Sequence, residues 1–95
     1  SSVSLVGPKY GEEKARTFYA EGDQLFREAV TLPDSEARPK FAKAARLFEK
    51  AAEAYPGTWL EQDALFMQGE SHLFADELPQ AADAYITLPD GSVLA

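Results

Sequence analysis

The chain has no cysteine among its 95 residues, so neither a disulfide nor a thiolate-bound metal can staple the fold. It has one histidine, His72, and no second His or Cys at metal-ligand spacing, so neither a metal nor another cofactor is expected. Basic residues are scarce: nine Lys and Arg against sixteen Asp and Glu give a formal charge of −7. A surface of that sign repels phosphate backbones, so nucleic acid is excluded as a partner. No apolar run approaches the roughly 18–20 residues that span a bilayer, so no transmembrane segment is expected. SSVSLVGPKY, the first ten residues, lacks the basic-then-apolar layout of a signal peptide, and with no starting Met a mature or partial chain is expected.

What is present is helical periodicity without sustained two-residue alternation, apart from a short β-like run at Ser2 to Val6. Ala15, Phe18, Tyr19, Gly22, Leu25, Phe26, Ala29 and Val30 mark an apolar face on a first helix. Thr31 to Asp34 interrupts it, since Pro33 removes a donor and biases Leu32 away from helical geometry. A second helix is expected to start between Ser35 and Pro39, because proline is tolerated in a first turn and not further in. Its stripe is Phe41, Ala44, Ala45, Phe48, Ala51, Ala52 and Tyr55, and Pro56-Gly57 stops it.

Thr58 with Glu61 three residues on has the form of a capping box and opens a third helix running to about Ala75. Asp76 and Glu77 make the next turn, and Pro79 suits the first turn of a fourth helix. Leu78, Ala81, Ala82, Tyr85 and Leu88 are expected to form that helix's buried face. The fold class is therefore all-α, about four helices in antiparallel hairpins. Residues 10–56 form the first hairpin with an insertion near 30–39, 57–88 the second, and 89–95 a tail, all within one domain.

The two hairpins repeat one plan, with Gly69 falling on Gly22, Ala81 on Ala44 and Tyr85 on Phe48. A mid-helix glycine costs about 1 kcal/mol against alanine, so two at equivalent positions imply close contact with a facing helix, where Ala44 and Ala81 are expected. In this pattern the chain resembles the tetratricopeptide repeat (TPR), a helix-turn-helix unit of about 34 residues. Leu65, Gly69, His72, Ala81 and Tyr85 carry the resemblance in the second hairpin. Phe18, Gly22, Leu25, Ala44, Phe48, Ala51 and Pro56 carry it in the first, once about ten inserted residues around Val30 to Pro39 are allowed for. Glu21 and Gln68 stand where Leu is usual, and the match fades from Leu88 to Val93.

The stretch YPGTWLEQDALFMQGESHLFAD is similar to a narrower subtype. That subtype occurs in BamD-type outer-membrane assembly lipoproteins and in Tol-Pal-associated TPR proteins of bacteria. The resemblance implies an α-solenoid that acts as a protein-protein interaction or assembly scaffold. Its location would be periplasmic or outer-membrane-associated, with a cytoplasmic one as the alternative. It also implies a concave groove for a protein or peptide, lined by Arg16, Tyr19, Asp23, Phe26 and Arg27 on the first helix. On the third helix the lining would be Asp63, Phe66, Glu70, Leu73 and Phe74.

Two repeats are fewer than the three or so a stable stack needs, so a homo-oligomer is expected, with domain swapping as one route to it. The competing reading is a closed structural bundle, which would bury Phe26, Phe66 and Leu73 together. Another is an accessory or regulatory domain of a larger enzyme. The chain itself is read as non-catalytic. Ser71 and His72 are helix neighbours pointing about 100° apart, and the acidic pairs Glu12-Glu13 and Asp76-Glu77 sit at helix ends or in turns, where solvation and the helix dipole explain them. Trp59, at a helix start, is expected to cover the junction between the hairpins.

Overall fold

Pro33, the Pro56-Gly57 turn and Asp76 separate four helices: α1 (Gly11–Ala29), α2 (Asp34–Ala54), α3 (Trp59–Phe74) and α4 (Leu78–Thr87). The structure is a computed structural model and describes residues 11–89. The extended run expected at Ser2 to Val6, and the tail beyond Pro89, lie outside the described residues. Among the described residues there is no strand, and each helix packs on the next in sequence. α1 also touches α3, whereas α1 and α4 make no contact, so the stack does not close on itself. Phe26 and Phe66 are part-buried in separate contacts and Leu73 is 43% exposed, an arrangement unlike the shared burial of a closed bundle.

Local chemistry accounts for the helix ends. At α3 the Thr58 Oγ1 accepts the Glu61 N–H at 3.3 Å and itself donates to the Tyr55 carbonyl at 2.7 Å. The Glu61 carboxylate reaches back to the Gly57 N–H at 2.8 Å, one residue earlier than in a reciprocal capping box, so two free donors of the helix entry are satisfied. The α3 exit is a Schellman motif. Glu77 N–H donates to the His72 carbonyl at 2.8 Å and Asp76 N–H to the Leu73 carbonyl at 3.1 Å, with Asp76 at φ 63°. An aspartate there carries both a left-handed backbone and a negative charge at the negative end of a helix. Asp76→Val is expected to cost about 1–2 kcal/mol and Asp76→Gly to hold or raise stability, read as opposite shifts of the urea midpoint.

Two expectations are corrected here. The second helix starts at Asp34, which puts Pro39 inside it, beyond the first turn. The Pro33 carbonyl accepts the Glu36 and Ala37 N–H groups and starts the helix early. Proline is tolerated because the carbonyl it cannot serve, that of Ser35, lies on an exposed side of the helix with Pro39 itself. Much of the expected insertion is thus the first turn and a half of α2, and Val30 to Pro33 make the connection. The buried face of α4 is Ala81, Ala84 and Leu88, with Tyr85 part-buried, while Leu78 is 55% exposed and Ala82 is exposed. A ten-residue helix has fewer than three turns, too few for apolar spacing alone to fix its rotation.

On the expected α2 stripe Phe41, Ala44, Ala45, Phe48, Ala51 and Ala52 are all buried, while Tyr55 caps the helix and is part-buried. The glycines also have their close contact with the facing helix, and the nearest atoms there belong to aromatic rings. A Cβ on Gly22 would lie 3.1–3.2 Å from Phe48 ring carbons, and one on Gly69 would lie 2.6–2.9 Å from those of Tyr85. One turn before each glycine a second aromatic meets the same ring: Tyr19 packs on Phe48 at 5.1 Å and Phe66 on Tyr85 at 6.3 Å. Each hairpin is therefore locked by an aromatic, a glycine and a facing aromatic at equivalent places.

Candidate functional site

α1 and α3 both pack on α2 and touch each other, and their facing sides form a groove. Near its open end is a cavity of about 320 Å³ lined by Arg16, Tyr19 and Asp23 from α1 and by Trp59 and Asp63 from α3. Ala20 and Leu60 complete the lining. α3 begins at Trp59, so the Thr58 cap sets where this indole emerges. Trp59 is 58% exposed, and the Arg16 guanidinium lies over its ring at 5.4 Å. Arg16 is held from behind by Glu12 at 2.8 Å, one turn earlier on the same helix. Trp59 does span α1 and α3, as expected of a residue at the junction, but it stays more than half open to solvent.

Four of the ten expected groove residues, Arg16, Tyr19, Asp23 and Asp63, thus share one cavity. Phe26 and Phe74 meet each other at 5.9 Å further along and both pack on Phe41, at 5.1 and 5.3 Å, closing the groove's far end. Phe66 and Glu70 turn instead to α4, where Phe66 touches the Tyr85 ring and Glu70 accepts the Tyr85 hydroxyl. Arg27 pairs with Asp23 at 2.9 Å on its own helix and is otherwise solvated, and Leu73 is exposed. Sequence reasoning missed Trp59 as a lining residue. The signal was available, since Trp59 stands four residues before Asp63 and so on the same helical side.

Burial, and then the carboxylates of Asp63 and Asp23, push the Tyr19 phenol above its ordinary pKa. Burial and the hydrogen bond to Glu70 raise that of Tyr85. Both shifts favour the neutral phenol in the folded chain. The stability they bring is complete below the ordinary tyrosine value of about 10 and is lost as pH rises through the folded-state values. Urea midpoints of the wild type are therefore expected to fall above about pH 10, and Tyr85→Phe to flatten that fall. An equal alkaline slope in the variant would show that Tyr85 does not contribute.

His72 is largely buried, its Nδ1 2.9 Å from Glu77 Oε1, a contact that ties the end of α3 to the turn. Among the described residues no three His, Asp or Glu side chains come together to hold a metal, and no helix is long and apolar enough to cross a membrane. Compared with protein-family models, with curated proteins and with solved structures, the chain matches none.

Proposed function

We propose that this chain is a TPR-like, non-catalytic interaction module whose α1/α3 groove receives a peptide or partner helix. The observation that carries the reading is the cavity in which Tyr19 and a largely exposed Trp59 stand beside Arg16, Asp23 and Asp63. Half-exposed aromatics ringed by charges of both signs are what anchors of a recognition surface look like. Two features of the fold support it: the same aromatic-glycine-aromatic lock in both hairpins, and a stack that leaves α1 and α4 apart. The placement in an envelope scaffold rests on the resemblance of Tyr55 to Asp76 alone.

Peptides selected from a display library for binding the whole chain provide the test. Trp59→Ala and Arg16→Ala are expected to weaken the selected peptides about tenfold or more, as loss of a hot-spot anchor does, with little change in the unfolding midpoint. Selected peptides indifferent to both substitutions would remove the groove from the reading.

We also infer self-association through α4. Leu78, Ala82 and Ile86, at steps of four, are exposed along its outer side, Ile86 to 79%. In a longer stack the next repeat would cover that stripe. Sedimentation is expected to show concentration-dependent dimers that Ile86→Glu abolishes, and a well-folded monomer at millimolar concentration would contradict it.

A further inference from the structure

The groove uses one side of α3, and the opposite side holds a second and larger cavity, of about 510 Å³, between α2 and α4. Leu65 lines it, two residues and so about 200° round the helix from Asp63, which places it away from the α1/α3 groove. α2 and α4 do not touch, so α3 forms the floor between them. The floor is mostly apolar, with buried Ala52 and Ala84 beside the part-buried Leu65, and it also carries Gln68, whose Oε1 is buried with no hydrogen-bond partner among the described residues. The rim carries four carboxylates: Glu49 and Glu53 from α2, Glu61 from α3 and Asp83 from α4. Among the described residues no Lys, Arg or His lines the cavity.

None of the four has an ion-pair partner among the described residues. Glu61 accepts a backbone N–H from Gly57, and the other three side chains make no hydrogen bond there. Elsewhere the chain does pair its acids, as in Glu12 with Arg16, Asp23 with Arg27 and Glu28 with Lys40. Other acids, such as Glu21 and Glu36, are also without an ion pair, but at this rim four of them face one cavity with no basic side chain among the described lining residues.

The geometry points to a second docking surface here, for a basic amphipathic peptide segment that places one aliphatic side chain on the Ala52-Leu65-Ala84 floor and lysines or arginines against the rim. Charge selects this occupant. The carboxylates are too dispersed to ligate a single metal ion, so the matching cations have to be carried on a scaffold that spans the cavity. A second copy of the chain brings a formal charge of −7, and residues 90–95 contain an aspartate and no basic residue, so neither complements the rim. Nucleic acid carries the wrong sign. This surface does not depend on the α1/α3 groove, and either can fail alone.

The probe is a blocked thirteen-residue alanine-based peptide with one central leucine flanked on each side by two lysines. Controls replace its lysines by glutamates or its leucine by alanine. Titrated into the ¹⁵N-labelled chain at low salt, the lysine-leucine peptide is expected to shift the amides around Ala52, Leu65 and Ala84 and to leave those around Arg16 and Tyr19 in place. Glu53→Gln with Asp83→Asn, both at exposed positions, is expected to weaken it about fivefold or more, and raised salt to do the same. Equal binding of the glutamate peptide would overturn the proposal. So would equal binding of the leucine-free peptide, which would mean charge attraction without a seat. Shifts confined to Arg16, Tyr19 and Trp59 would also overturn it, while leaving the groove reading intact.

Discussion

Phe48→Ala is expected to cost about 3–5 kcal/mol, the upper range for truncating a buried aromatic. Among the described residues Phe48 is the largest side chain fully removed from solvent. Its ring fills the space over Gly22 and meets Tyr19 edge-on at 5.1 Å and 71°. The void left by truncation is bounded on one side by a residue with no side chain to relax into it, so little of the loss is recovered. A domain of this length has on the order of 5–14 kcal/mol in all, so the variant should unfold at a small fraction of the wild-type urea concentration.

The same geometry predicts coupling. Gly22→Ala in the wild type meets the ring at 3.1–3.2 Å and gains about 1 kcal/mol of helix propensity, so its net effect should be close to zero. In the Phe48→Ala background the added methyl enters free space, and it should recover about 1 kcal/mol or more. Strict additivity in urea unfolding would mean that the two residues do not face each other.

Gly69→Ala carries the second large effect. Its Cβ would lie 2.6–2.9 Å from three carbons of the Tyr85 ring, closer than atoms pack, so the ring or the helix has to move. The ring is not free to swing, because its hydroxyl is bonded to Glu70 and it packs at a tilt on Phe66. Overpacking of this kind costs about 1–3 kcal/mol, more than the roughly 1 kcal/mol that alanine gains over glycine in a helix. Gly69→Ala is therefore expected to destabilise where Gly22→Ala does not, and to loosen α4, which among the described helices packs on α3 alone. Amide exchange should quicken across Leu78 to Thr87 before it does in α1 and α2. Tyr85→Leu added to Gly69→Ala should restore part of the loss, since it removes the ring that the methyl strikes. A Gly69→Ala variant as stable as the wild type would contradict the packing.

These glycines also show how far the sequence was legible. Their equivalence was plain from spacing, and so was that of Phe48 with Tyr85, because both follow from helical periodicity. The nearest atoms across the interface were not: Ala44 and Ala81 were expected on the facing helix, and it is the Phe48 and Tyr85 rings that come nearest. A glycine leaves a hole, and spacing along one helix does not say whether a methyl or an aromatic knob enters it. Leu78 and Ala82 were misplaced because α4 is short, and Pro39 because an exposed unpaired carbonyl makes proline cheaper than a buried one would. Of the groove stripe, Arg16, Tyr19, Asp23 and Asp63 come together. Phe66 and Glu70 are drawn to α4 by Tyr85, a tertiary contact invisible in the α3 sequence.

The α1/α3 groove as a recognition site is tested most directly by the emission of Trp59, the single tryptophan, during titration with a peptide selected on the whole chain. Red-shifted, readily quenched emission is expected in the free chain, as fits a side chain more than half exposed, and a blue shift with loss of acrylamide quenching at saturation. Emission already blue and protected in the free chain, or unchanged when the peptide saturates, would contradict it.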